Sequence, residues 1–226
     1  MNAAEAFQTS GTAGLVRPDV VVKARKAEVN GSGPLIVGVD PSRGGDRFSM
    51  VKRWGRKAYD IKSWKGDAVD KLGKAVSKCV AVLDESCPVA GKVPDMMFID
   101  AGGGADLVDR LHELGYKDRV KAISFGASPL NDAKYRNKRG EMWGECNLWL
   151  SDENLEVQIP DSDSLQADLC ASPYDRDSHD RIVLWKKDKI KKEYGFSPDE
   201  GDALVLTFAE PVSAEKAKKI NFKGWG

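Results

Sequence analysis

Leu35-Ile36-Val37-Gly38-Val39-Asp40-Pro41 is an apolar run that stops on a carboxylate and passes at once into Ser42-Arg43-Gly44-Gly45-Asp46. A run of this length and composition reads as a strand buried on both faces, and the proline and two glycines behind it end the strand in a turn. The design recurs, because Met96-Met97-Phe98-Ile99 also ends on an aspartate, Asp100, followed by Gly102-Gly103-Gly104. Two buried strands delivering carboxylates to the same kind of end point to a layered α/β fold whose sheet collects its chemistry at the carboxyl edge.

The segments between and after these strands fill in the layers. Phe48–Arg53 and Lys57–Trp64 read as two strands around a Gly55 turn, which makes three antiparallel strands in succession. Asp67–Glu85 carries Val69, Leu72, Val76, Val80 and Leu83 at helical spacing. Asp106–Leu114 is expected as an amphipathic helix, Arg119–Phe125 as a strand, and Asn137–Leu150 as a helix with Met142, Trp143, Cys146, Trp149 and Leu150 inward. A short helix over Ser162–Cys170, introduced by Pro160-Asp161, a hairpin over Tyr174–Trp185, a charged helix over Lys186–Lys192 and a last helix over Asp202–Ala209 complete the chain. Three antiparallel strands, a helix, a parallel strand, a helix and another strand fit a ribonuclease H-like, mixed α/β core flanked by helices.

Residues 1–33, alanine-rich and then polar, are expected as a flexible arm and linker, 34–210 as the folded domain with its hairpin at 174–185, and 211–226 as a basic tail. The 226 residues hold 35 basic and 35 acidic side chains, a balance that argues against a generally basic nucleic-acid coat while leaving room for a local basic track. Cys79, Cys87, Cys146 and Cys170 are scattered without metal-ligand spacing, which predicts a reduced, intracellular protein without structural zinc. No apolar run is long enough to cross a bilayer, no signal-peptide pattern stands at the start, and the two histidines suggest no histidine-based triad.

In a ribonuclease H-like core Asp40 and Asp100 leave adjacent central strands, and the last helix carries Asp199 and Asp202 past the same edge. Crowded carboxylates raise one another's pKa unless positive charge compensates, and hard oxygen ligands of this kind suit magnesium or manganese. Two such ions about 4 Å apart can straddle a phosphodiester and make a side-chain nucleophile unnecessary. Each aspartate also has a plainer reading. Asp40 can cap the Pro41–Gly45 turn, Asp100 can help the glycines turn into a helix, and Asp202 and Asp199 can serve as first-turn or cap residues that a helix N-terminus favours anyway. Asp46 is either a reserve ligand or a solvent-facing turn residue.

Several stretches resemble the carboxyl-terminal nuclease domain of the large terminase subunit of tailed double-stranded DNA bacteriophages. The resemblance rests on Val37-Gly38-Val39-Asp40-Pro41 with Gly44-Gly45-Asp46, Phe98-Ile99-Asp100, and Tyr135-Arg136-Asn137-Lys138-Arg139 leading into Glu141-Met142-Trp143. Ile159-Pro160, Leu165-Gln166-Ala167-Asp168-Leu169 and Ser197-Pro198-Asp199-Glu200-Gly201-Asp202-Ala203-Leu204 extend it over roughly Leu35 to Ala209. It implies a ribonuclease H-like, retroviral-integrase-like fold and a magnesium- or manganese-dependent endonuclease, with two ions in the active complex, that cuts concatemeric viral DNA during packaging. It also implies Asp40, Asp100 and Asp202 as catalytic metal ligands, Asp46 and Asp199 as accessory acidic positions, and work in the cytoplasm of an infected bacterium. The implied partners are double-stranded DNA, a terminase ATPase domain, a small terminase subunit and a portal, with no membrane. No G-x-x-x-x-G-K-S/T phosphate loop occurs, so no ATPase domain is expected in this chain, which is then a fragment or works beside a motor on another chain.

Arg43 and Arg47 are candidate phosphate contacts, as are Lys186 and Lys187 after the hairpin and Arg136 and Arg139 around the start of the long helix. Charge runs of this kind are also common on solvated faces. Two other functions share these residues. Actin-like and sugar-kinase-like ATP-binding enzymes join aspartates to glycine-rich phosphate loops on the same underlying fold, and a non-catalytic docking module of a packaging assembly would use the acidic cluster for a structural ion or partner.

Overall fold

A computed structural model describes residues 14–41, 47–66 and 69–213. Its centre is a five-stranded mixed sheet formed by β1 (Leu35–Pro41), β2 (Phe48–Trp54), β3 (Lys57–Trp64), β4 (Met96–Asp100) and β5 (Val120–Ile123) in the order β3-β2-β1-β4-β5. The first three strands form an antiparallel meander turned by Gly55, whose φ of 60° lies in the left-handed region that glycine tolerates. Two right-sized crossovers, α2 (Leu72–Asp84) and α3 (Ala101–Leu111), then bring β4 and β5 in parallel to β1. This is the succession expected for the mixed core.

Both faces of the sheet are covered, which explains why β1 is buried along its whole length. Val37, Val39, Met97 and Ile99 face α2 and α3, packing with Val76, Cys79, Leu83, Leu107 and Leu111. Ile36, Val51 and Phe98 face the opposite layer, built from α4 (Lys138–Leu150), α5 (Asp163–Cys170) and α7 (Asp199–Leu206). The hairpin β6–β7 (Tyr174–Arg176, Ile182–Leu184) and α6 (Lys187–Tyr194) connect α5 to α7.

Alternation along β1 places Gly38 toward α7, where a Cβ would overlap the Ala203 carbonyl and stand 3.2 Å from Leu206 Cβ. The missing side chain lets helix and strand approach closely at the level just below Asp40. All four cysteines are buried free thiols, and no described helix is long and apolar enough to cross a membrane.

Several element boundaries differ from those expected. Residues 18–26, assigned to a flexible arm, form helix α1 (Pro18–Lys26), with proline in its first turn, Asp19 near its positive end and Lys23, Arg25 and Lys26 near its negative end. Its Val20, Val21 and Ala24 are buried in the α4–α5 layer. The crossover α2 begins at Leu72, and Leu72 is 40% exposed because Ala75, Val76, Cys79, Val82 and Leu83 form the buried stripe instead. Helix α3 starts directly at Ala101, so the glycines form its first turn, and α7 starts at Asp199, three residues earlier than expected. The cap of α5 is Ser162, whose Oγ accepts from the Leu165 N–H at 3.2 Å.

Candidate active site

One row of side chains crosses the sheet at its carboxyl edge. Asp40 pairs with Ser49, Ser49 pairs with Ser63, and the pairing of Val39 with Ile99 sets Asp100 level with Asp40. Alternation turns this row toward α7, continuing the face of Ile36 and Phe98. Asp40 and Asp100 therefore reach the interface of sheet and helix, with 1% and 9% of their surface exposed.

Helix α7 supplies the third carboxylate. Asp202 lies in its first turn and is fully buried. Buried carboxylates require partners, and the Asp202 carboxylate has three groups around it. The Trp143 indole N–H donates to Oδ1 at 2.8 Å, Arg139 donates to Oδ1 and Oδ2 at 3.3 Å, and the Lys187 ammonium stands 3.0 Å from Oδ2. Lys187 also donates to Asp40 Oδ2 at 2.6 Å, so a single ammonium joins the two aspartates. Asp100 caps α3, its Oδ1 accepting from the Gly102 N–H at 3.0 Å.

The electrostatics separate the three carboxyls. Burial, together with Asp202 and Asp199 nearby, pushes Asp40 up to about 7 despite the opposing pull of Lys187. Burial also raises Asp100, against the Gly102 N–H and Lys187. Burial acts in the same direction on Asp202, but Arg139, Lys187 and the Trp143 indole outweigh it and hold that carboxyl below the usual range. Burial alone would lower Lys187, whereas Asp202 and Asp40 raise it, so the ammonium stays charged in the buried site.

Among the described residues no three His, Cys, Asp or Glu side chains form a ready-made metal cage. At this site the Lys187 ammonium stands between Asp40 and Asp202. Asp40 and Asp202, from β1 and α7, meet on this one positive charge, with Asp100 at the same sheet edge, and an all-oxygen carboxylate set is of the kind that suits a hard divalent cation.

The other sequence candidates are distributed differently. Arg43 and Asp46 lie outside the described residues. Asp199 is buried, with Oδ2 accepting from the Arg47 backbone N–H at 3.0 Å and Oδ1 accepting from Ser197 Oγ at 2.5 Å. The Arg47 guanidinium turns inward to Glu200 at 3.1 Å and Asp168 at 3.6 Å. Arg139 is buried, binding Asp202 and the Trp185 carbonyl at 2.7 Å, and Lys187 sits between the aspartates. Arg136 and Lys186 are exposed.

Sequence reasoning passed over Trp143, Asp168 and Glu200, which organise this centre, and gave Lys187 a phosphate-contact role instead. Trp143 was assigned to the core alone, yet it spends its N–H on Asp202; its spacing of four from Arg139 on one helix was the available signal. Asp168 and Glu200 lay within the quoted motifs without a role. Lys187 gave no local signal, since its partner Asp40 is 147 residues away.

No protein-family model matches the chain, and no curated protein matches it. Solved structures do. The nuclease domain of the large terminase subunit gp2 of bacterial virus Sf6 superposes with a TM-score of 0.71 at 19% identity, covering 88% of this chain and all of that one. A lysine-to-alanine mutant of the Sf6 domain with manganese gives 0.69 at 16% identity, with the same coverage of 88% and 100%. The large terminase nuclease of thermophilic phage G20c with bound magnesium gives 0.57 at 10% identity, covering 88% and 97%. The fold of this chain is thus the ribonuclease H-like fold of phage terminase nuclease domains.

Proposed function

We propose that this chain is a magnesium- or manganese-dependent DNA endonuclease of the large terminase type, which cuts concatemeric viral DNA during genome packaging. The observation that carries the proposal is the placement of Asp40, Asp100 and Asp202 from β1, β4 and α7 at one sheet edge, with Asp40 and Asp202 sharing one ammonium. The fold neighbours solved with manganese and magnesium support it.

Asp40, Asp100 and Asp202 would hold the metal ions, with Asp199 and Asp46 as accessory acidic positions. Divalent ions held there supply an acidified water and stabilisation of the leaving 3′ oxygen. Arg139 and the Trp143 indole keep Asp202 ionised and aimed at Asp40, and they leave one edge of its carboxylate to the shared cation. Ions held between Asp40 and Asp202 would take the place of the Lys187 ammonium. Exposed Arg136 and Lys186 suit backbone contacts to double-stranded DNA that give affinity without sequence reading, and Arg43 is assigned to the same role from sequence alone.

The packaging reading places the chain in the cytoplasm of an infected bacterium, working with an ATPase domain outside these residues, a small terminase subunit and a portal. The test is cleavage of supercoiled plasmid by the purified chain. Magnesium or manganese should support nicking or linearisation, and chelation or Asp40→Ala, Asp100→Ala or Asp202→Ala should suppress it. Cleavage unchanged by chelation and in all three variants would overturn the proposal.

A further inference from the structure

Helix α7 lacks a conventional start. Pro198 occupies its N-cap position and offers no side-chain acceptor, so the first amides of a buried helix must find acceptors elsewhere. They find one in α5. Asp168 Oδ2 accepts from the Glu200 N–H at 2.8 Å and from the Gly201 N–H at 3.2 Å. The approach depends on Gly201, where a Cβ would stand 3.1 Å from Asp168 Cβ and 3.0 Å from Trp143 Cη2.

The same carboxylate is tied to the strand layer. Asp168 Oδ1 lies 3.6 Å from Arg47 Nη2, Arg47 Nη1 lies 3.1 Å from Glu200 Oε1, and the Arg47 backbone N–H donates to Asp199 Oδ2 at 3.0 Å. Glu200 in turn accepts from Ser63 Oγ at 2.9 Å and from Ser164 Oγ at 2.6 Å, and Ser63 bonds Ser49 at 2.9 Å. Ser63 and Ser49 belong to the cross-strand row that contains Asp40. A continuous set of bonds therefore runs from α5 through the start of α7 to the sheet.

We infer that Asp168 is the positioning residue of the metal centre: by capping the amides of Glu200 and Gly201 it fixes the height of α7 over the sheet and so the distance of Asp202 from Asp40. The inference rests on the metal-dependent reading of the three aspartates. Asp202 directly follows the second capped amide, and α7 brings Asp199, Glu200 and Asp202 into one turn beside Asp40, an arrangement that repulsion would otherwise open. Metal ligands tolerate errors of only about 0.2 Å, so a small rise of α7 would matter far more to ion binding than to the fold. Burial raises the Asp168 carboxyl, and its Oδ2 accepts from the two amides in either protonation state.

The test is calorimetric titration of the whole chain with Mn²⁺, alongside thermal melts in chelator. Asp168→Ala should weaken Mn²⁺ binding by about tenfold or more, as loss of a group behind a metal ligand does. Asp168→Asn keeps an acceptor for the amides and should stay within about twofold of the parent, since asparagine caps as well as aspartate. Should Asp168→Ala fail to fold, Gly201→Ala, whose methyl pushes α7 off Asp168, should show the same loss of affinity. Parent-like Mn²⁺ affinity in the folded Asp168→Ala or Gly201→Ala chain overturns the inference. Absence of Mn²⁺ binding by the parent chain instead overturns the metal-dependent reading itself.

Discussion

Asp40 and Asp202 share one cation: the Lys187 ammonium stands 2.6 Å from the first and 3.0 Å from the second. The two carboxylates come from a strand and a helix 162 positions apart in the chain, and each is at most 1% exposed. Burying two anions this close is unfavourable unless positive charge and hydrogen bonds offset it. Lys187, Arg139 and Trp143 provide that compensation, and the first of these is the one the proposed divalent ions would replace.

Lys187→Ala should therefore have opposite effects with and without metal. In chelator the variant leaves Asp40 without its ammonium, and the folded state should lose about 3 kcal/mol, the lower end of the cost of breaking a buried pair, because the lysine is partly exposed. Manganese should bind more tightly to the variant than to the parent, having no ammonium to displace, and should recover the lost stability. Urea unfolding in chelator and in Mn²⁺, combined with calorimetric titration, measures both effects.

Stability of the metal-free chain should fall as pH rises from about 4 to 7. Asp40 titrates near 7 in the folded state against an ordinary 3.8, so over this interval the folded chain binds more protons than the unfolded chain. Deprotonation then favours unfolding. The raised Asp100 carboxyl acts in the same direction. Asp202 acts oppositely, being held low, and its contribution is lost only as pH drops below about 4. Urea midpoints in chelator at pH 5 and pH 7.5 should show the decline, and Asp40→Asn should make it shallower.

Trp143→Phe keeps most of the ring in the core but removes the indole N–H that Asp202 Oδ1 accepts at 2.8 Å. Losing a hydrogen bond to a buried charge costs about 1.5–3 kcal/mol. The variant should lose stability by that amount, read from urea unfolding, and its Mn²⁺ affinity should fall because Asp202 is less firmly held.

Gly38→Ala tests the close approach of α7 to β1. The added methyl would overlap the Ala203 carbonyl, which is backbone and cannot rotate aside. Overpacking of this kind costs about 1–3 kcal/mol or more. Lowered stability together with weakened metal binding is expected, since the helix that must move carries Asp202.

The sheet was legible because its signals are local. Apolar runs of strand length, each closed by an aspartate and glycines, identified β1 and β4 and put Asp40 and Asp100 at one edge. The start of α7 was misplaced because Pro198-Asp199-Glu200 reads equally as a cap or as a first turn; the distant acceptor that decides it, Asp168, lies on α5. Helix α1 was read as part of a flexible arm although Pro18, Asp19 and the lysines near its end fit a helix, since its short apolar face is Val20, Val21 and Ala24 and its packing partners lie on the distant α4 and α5. Arg47, Arg139 and Lys187 looked like surface cations for the same reason. A sequence shows charge but not which way a side chain turns, and all three meet carboxylates more than 60 residues distant.

The most direct measurement is anomalous scattering from crystals of the chain soaked in Mn²⁺. The account predicts manganese bound by Asp40, Asp100 and Asp202, with the Lys187 ammonium moved out from between Asp40 and Asp202. Manganese absent from that place, with Lys187 still bridging the two aspartates at saturating metal, would contradict it.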